Sequence, residues 1–485
     1  MMVCAILQYM KKSCLILLCV FLCGSSLSVF SDDLGVFAVN PPAPSRHVAV
    51  RGLMATGYSI LSNVLLMSFN IAVYNLSGGE MFTWATPNAA SIRRNLTGPW
   101  QWEDDNGFFV NQIGHPYQGS MYFVAGRVNE FGFYQSVLFS VIGSATWEIF
   151  FENHVASIND FITTVPASMS MGEMLYRLYA EAIHAGVPGP VAFFINPMAG
   201  FHRLVTGWQP PDYGRNLHRV RFHLAPGFAR TRYTLPDYDE DLFSFRGFYG
   251  ELGVRIIYGD PFVSRGRVPF SHFDLNASFG LDIGNFVNFR IASDGYLFSF
   301  SPLDTDTQRM TTGLSLHMDT VSIGRLDNFS LEEESATINQ YSNALNWTVK
   351  YQRLFSNSVT LETKFHLGVT FFGASVFFCP ERAEDLKNYG AGFNGKLFFN
   401  LDHPRLGRLE TSAFAYNIWS FPGTSDISGG MVYWLFADAA YFFPVTERFS
   451  VGLSYSFALE HGIFNNFPNT WKHHNAVRLL AAWNF

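Results

Sequence analysis

The sequence predicts a mainly β fold: a transmembrane antiparallel β-barrel of about twelve strands, preceded by an N-terminal α-helical domain. Three observations carry that prediction. From residue 217 onward apolar and polar residues alternate with period two in long runs, the chain closes on an alternating segment that stops at Phe485, and aromatic residues (17%) outnumber charged ones (15%). Successive side chains on a strand point to opposite faces, so a barrel in a bilayer writes apolar-out and polar-in along every strand. An aromatic-rich, charge-poor composition suits an outer surface wetted by hydrocarbon with rings at the headgroup levels. Mean hydropathy is only +0.10, as expected when half of each strand faces a polar lumen.

The first element is an export signal. Lys11 and Lys12 precede an apolar run over 14–23, then Gly24, Ser25 and Ser26, and a small-residue exit at Ser31, which reads as a secretory signal peptide spanning 1–31. Lipidation at Cys23 is the alternative, and bulky Leu22 argues against it. Cys4, Cys14, Cys19 and Cys23 leave with the signal, so the mature chain keeps only Cys379 and has no internal disulfide. Losing Lys11 and Lys12 makes the formal charge of −7 two units more negative, which excludes nucleic acid as an expected partner. Residues 32–51, with Pro41, Pro42 and Pro44, read as a flexible leader.

Residues 52–210 carry helical or mixed periodicity. The charge-free run 58–76 is interrupted by Ser59, Ser62, Asn63, Ser68 and Asn70, so it is expected to be an apolar helix that packs on protein; a single inner-membrane span is the rival. Further helices are expected near 132–152, near 170–185 after Pro166, and near 190–205.

The barrel is expected over 211–485. In its clearest strand Val359, Leu361, Phe365, Leu367, Val369 and Phe371 alternate with Thr360, Glu362, Lys364, His366, Gly368 and Thr370. The strand before it sets Leu345, Trp347, Val349 and Tyr351 against Asn346, Thr348, Lys350 and Gln352, and Ser356, Asn357 and Ser358 form a tight turn between them. Ten more segments alternate, giving an even count of twelve, which returns the C-terminus to the side where the first strand starts. Connections should then be long on one side and short on the other. The short connection 282–285 breaks that parity, so ten or fourteen strands remain open. A large soluble β-sandwich is the competing fold, and the strand lengths, the signal and the terminal Phe485 weigh against it.

Asn111, Gln112, Ile113, Gly114, His115, Pro116, Tyr117, Gln118 and Gly119 form a motif. It is followed by Gly143 to Glu148, Ser157 to Thr164, Gly172 and Glu173 with Arg177, and Asn196 to Gly200 with Arg203. In that order these resemble an uncharacterised bacterial family, domain of unknown function 3943, over about 52–207. Val165, Pro166, Ala167 and Ser168 stand where glycines are expected in the family. The resemblance implies an envelope location and no established reaction. Terminal Phe485 resembles the signal read by the outer-membrane assembly machinery, which would be a partner together with outer-membrane lipid.

His115, Glu148, Glu152, Asn159, Asp160, Glu173 and Arg177 are polar groups set in apolar helical sequence, and Glu148/Glu152 and Glu173/Arg177 each share a helix face. Buried carboxylates must find one another, a cation or water, so a structural polar network locking the helices is the first expectation. A catalytic site with His115 as base and Asp160 or Glu148 orienting it is the second. A metal trio of His115, Glu148 and Glu173 is possible by geometry, but no His-Glu-x-x-His or paired-cysteine spacing supports it, and neither a metal nor a cofactor is expected. Lys350, Glu362, Lys364 and His366 should face the lumen. The mixed signs of the inward residues, which also include Arg219, Arg221, Arg255, Asp274, Asp319 and Lys396, do not make a one-sign selectivity ring.

These observations lead to an outer-membrane barrel of a diderm bacterium, porin-like, with the helices plugging the lumen or capping its periplasmic mouth. The expected work is transport or reception of a small or lipid-like solute. A lipid-modifying enzyme using His115, Glu148 and Asp160, or a purely structural envelope protein, is the alternative.

Overall fold

The computed structural model describes residues 47–79, 82–103, 106–235, 240–262, 268–282, 286–325, 335–355, 359–379, 384–423 and 429–485. The expected signal peptide and most of the leader lie outside them. Among the described residues, seven α-helices precede twelve strands. The helices are α1 (Val48–Leu76), α2 (Ala89–Thr97), α3 (His115–Val128), α4 (Phe133–Phe150), α5 (Ile158–His184), α6 (Gly189–Ile195) and α7 (Pro197–Thr206).

The strands are β1 (Leu217–Leu235), β2 (Glu240–Tyr258), β3 (Phe273–Leu281), β4 (Phe286–Asp304), β5 (Gln308–Arg325), β6 (Ser335–Phe355), β7 (Val359–Cys379), β8 (Glu384–His403), β9 (Gly407–Ser420), β10 (Met431–Pro444), β11 (Phe449–Ile463) and β12 (Thr470–Asn484). Each pairs antiparallel with its chain neighbours, and β1 pairs with β12, closing the barrel. Closure removes both sheet edges, so no row of backbone N–H and C=O groups is left unpaired along the wall. On β7 the expected alternation is direct: Phe365, Leu367 and Val369 are exposed, whereas Lys364 and His366 are buried in the interior.

β3 has nine residues where every other strand has fourteen or more. Just before it Phe270 is buried and stacks on Phe133 of the helical domain.

The helices neither plug the lumen nor cap its mouth; they dock on the outer wall. A lumen cavity is lined by Asp319, Val321 and Ile323 of β5 and by other barrel residues, with no helical residue among its lining. The barrel residues packed against the helices have the opposite parity: Phe273, Leu316, Met318, Tyr341, Ala374 and Tyr389. α5 crosses β4, β5 and β6. At the far end of the contact Trp102 stacks on Phe421, and Lys387 Nζ donates to the Asn106 carbonyl (2.6 Å).

Two helix expectations also change. The helix placed after Pro166 is one 27-residue helix running through that proline. Proline removes one i→i−4 bond and crowds the preceding turn; here the helix is continuous and packed on both α3 and α4. The helix expected over 190–205 is two, broken at Asn196, whose Oδ1 accepts the Ala199 N–H (3.0 Å) and whose successor Pro197 starts α7.

The polarity of α1 is inverted. α1 buries Arg51, Ala55, Ser59, Asn63, Met67 and Asn70, mostly at a spacing of four, and exposes Leu53, Leu65 and Phe69. It therefore packs on protein, as the sequence suggests, but through its polar stripe. It is also long and apolar enough to cross a membrane. Small residues let the inner helices approach: a Cβ at Gly143 would collide with the Tyr122 ring, and one at Gly119 with Thr164. Gly143→Leu should therefore separate α4 from α3, at a cost of about 1–3 kcal/mol or more. The expected readout is faster proteolysis of the helical domain with the heat-modifiable migration of the barrel unchanged.

Candidate functional site in the helical domain

Three helices meet in the polar core. The π-helical turn Val110–Gly114 runs directly into α3, and His115 and Pro116 stand at that junction. α4 ends just after Glu148. α5 begins at its N-cap Ser157, whose hydroxyl accepts the Asp160 N–H (3.2 Å), placing Asp160 in the first turn. A carboxylate is favourable there because the helix N-terminus carries partial positive charge.

One ligand atom from each of His115, Glu148 and Asp160 lies within 4.8 Å of the other two, and all three residues are buried. His115 Nε2 stands 3.9 Å from Asp160 Oδ2, beyond hydrogen-bond length. Neighbouring groups fix the carboxylates. Asn159 Nδ2 donates to Asp160 Oδ1 (3.1 Å), and Asn159 Oδ1 accepts from Gln112 Nε2 (3.1 Å) and Thr163 Oγ1 (3.2 Å). The Ser157 N–H donates to Glu148 Oε2 (2.8 Å), and Asn95 Nδ2 holds the carbonyls of Glu148 and His154 (both 2.9 Å). Glu152 lies beside them and accepts from Trp147 Nε1 (2.5 Å).

Glu173 and Arg177 belong to a different cluster. Glu173 receives Arg127 (2.8 Å) and Arg177 (2.9 Å), while Arg177 also donates to the Pro269 carbonyl (2.9 Å). This clamp ties α3 and α5 to the segment before β3. So the metal trio weighed from sequence is not what the fold assembles: Asp160, not Glu173, stands with His115 and Glu148. Arg127 was missed by sequence reasoning, as was a third cluster in which Gln118 Nε2 donates to Asn63 Oδ1 (3.2 Å), Tyr122 O–H donates to the same oxygen, and Asn63 Nδ2 donates to the Gly143 carbonyl (3.1 Å). The interrupting Asn63 of α1 was the available signal.

In the barrel, Lys350 pairs with Glu362 (3.3 Å), Lys364 bridges Asp294 (2.7 Å) and Asp274 (3.3 Å), and His366 accepts or donates at Thr348 Oγ1 (2.6 Å). Arg221–Glu410 (2.6 Å), Lys396–Asp319 (2.5 Å) and Arg478–Glu251 (2.9 Å) extend this cross-lumen network. Toward the end of β7 rings fill the bore, among them Phe377 against Phe464 and Tyr416 against Trp434. The cavity left is about 160 Å³.

Residues 99–198 match the family model described as "Domain of unknown function (DUF3943)". The chain carries a DUF3943 domain. No curated protein matches it significantly. Among solved structures, the toluene transporter TodX of P. putida is 7% identical, with 56% of this chain and 90% of that one covered at a TM-score of 0.24. The outer membrane protease OmpT of Escherichia coli is 8% identical, with 55% and 97% covered at 0.21. The translocator domain of the autotransporter NalP of Neisseria meningitidis is 9% identical, with 56% and 90% covered at 0.24. At such identities and scores nothing about activity passes from them to this chain.

All seven polar residues singled out from the sequence fall within the matched stretch of the DUF3943 domain, split between the His115 cluster and the Glu173 clamp. Glu173→Gln would leave Arg127 and Arg177 buried without their counter-charge. Breaking a buried pair from one side costs about 3–5 kcal/mol. Hydrogen exchange should show α3 and α5 of the DUF3943 domain losing protection while the β-ladders keep theirs.

Proposed function

We propose that this is an outer-membrane β-barrel that holds its DUF3943 domain within the bilayer, against the barrel flank, and that this domain acts on a lipid-phase substrate by hydrolytic, acid–base chemistry centred on His115, Glu148 and Asp160. The observation that carries the reading is the convergence of an imidazole and two carboxylates, contributed by three helices, in the buried interior of a domain whose helix α1 is apolar on its outer face. Imidazole and carboxylate are the usual movers of protons at neutral pH, and their distances often tighten only with substrate bound. The apolar exterior of α1 matches a hydrocarbon solvent, as does the exposed apolar band of the strands. Exposed Phe485, whose N–H bonds the Val220 carbonyl (2.9 Å), supports recognition by the outer-membrane assembly machinery. The signal peptide fits the same destination.

A channel or receptor for a small solute is the second reading, favoured by the charged cavity of about 160 Å³ that Arg221, Arg255 and Glu410 line. Ion pairs crossing the bore and the rings beyond them oppose it. Proteoliposomes made with diderm outer-membrane lipids distinguish the two by mass spectrometry and planar-bilayer recording. The expected outcome is a modified lipid whose formation falls about 10²–10⁴-fold in His115→Ala, the usual worth of an acid–base group. Solute-specific conductance that persists in that variant, with no lipid change, would establish the channel instead.

The bilayer placement has its own test. Leu367→Arg puts a charge on the exposed outer face midway along β7. It should destabilise the liposome-folded barrel by about 2–4 kcal/mol if the position lies at the bilayer midplane. A neutral effect in a urea titration would place water, not lipid, against that wall.

A further inference from the structure

We infer that His115, Glu148 and Asp160 are ligands to a divalent first-row transition-metal cation of the Zn²⁺ class. The inference deepens the proposed function at the same cluster, whose three groups would act by holding a cation rather than by moving protons themselves, and it does not depend on what substrate, if any, the domain handles.

The geometry comes first. Ligand atoms around one cation at bond lengths of about 2.0–2.2 Å lie at most about 4.4 Å apart. The three candidate atoms lie within 4.8 Å of one another, so small rotamer changes close them on an ion. The His115–Asp160 separation of 3.9 Å is too long for a hydrogen bond and falls inside the range between two ligands of one metal.

The surrounding bonds are those a metal site needs. Asp160 Oδ1 is held by Asn159, which Gln112 and Thr163 hold in turn, and Glu148 Oε2 is held by the Ser157 N–H. Each carboxylate thus has one oxygen anchored, which orients the other; such outer contacts are typically worth 10–100-fold in metal affinity. Two carboxylates this close and fully buried favour a positive charge near them.

The donor set selects the ion. One imidazole and two carboxylates, with no sulfur, suit Zn²⁺, Mn²⁺ or Fe²⁺ and disfavour Cu⁺. Cys379 lies in the barrel. Three protein ligands would leave a position for water, the arrangement of catalytic rather than structural zinc sites.

The test uses the full chain, stripped with EDTA in detergent and titrated with ZnCl₂ by calorimetry. The expected result is one saturable site per chain, weakened at least 10-fold in His115→Ala, Glu148→Gln and Asp160→Asn and unchanged in His184→Ala. Asn159→Ala should cost 10–100-fold. Heat-modifiable migration and proteolytic protection of the helices control for folding. Should a ligand variant fail to fold, Co²⁺ added to the wild-type protein gives a second readout: a visible absorption band abolished by Zn²⁺ is expected.

Absence of saturable binding in the wild type, equal binding in folded Asp160→Asn, or equal loss in His184→Ala would overturn the inference. Zinc binding without lipid turnover would leave the metal site standing and remove the enzymatic reading. Turnover in a wild-type protein that shows no saturable zinc binding would do the reverse.

Discussion

The structure depends on closure of β1 onto β12. A backbone surrounded by hydrocarbon has no water to satisfy its N–H and C=O groups, so a sheet survives there only as a cylinder without edges. Register from Arg221↔Asn484 to Thr234↔Trp471 makes that cylinder, with β1 paired to β2 along its other side. Once the ladder is complete, each side chain is sorted by parity alone. Most charges go inward, where they pair, and Leu, Phe and Val predominate outward, while rings such as Phe377 and Trp434 fill part of the bore.

The docked helices modify that sorting over one patch of wall. On β5 the outward positions include Thr320 and Ser322, which face Tyr341 and Asn339 of β6, while Val321 and Ile323 turn into the lumen. Polar groups on a lipid-facing wall would be costly, and here they are buried. Helices over β4 to β6 provide the cover, and Ser322 Oγ donates to Asn339 Oδ1 (2.6 Å). On α1 the polar stripe meets the other helices and the apolar stripe faces outward.

Most of the barrel was legible in the sequence because period two is a local property. Strands such as 359–371 carry it in their own residues, and twelve alternating segments became twelve strands. The side on which the helices sit was not legible, since parity says which face a residue occupies but not what covers that face. The available signal was the reversal at Thr320 to Ile323, a short stretch where apolar residues turn inward and hydroxyls outward. The candidate site divided in the same way. Polar residues stranded in apolar helices announced His115, Glu148 and Asp160, but their separation from Glu173 depends on how α3, α4 and α5 cross. Arg127 gave no comparable warning, because a single arginine near a helix C-terminus is an ordinary surface feature.

Where chemistry can occur follows from these placements. The bore is crossed by ion pairs such as Lys364–Asp294 and Arg255–Asp274, and each would have to be broken, leaving buried charges, before a solute of any size could pass. In the helical cluster the carboxylates are oriented by Asn159 and Ser157. The Glu173 clamp, bonded through Arg177 to the segment entering β3, ties the helices to the barrel.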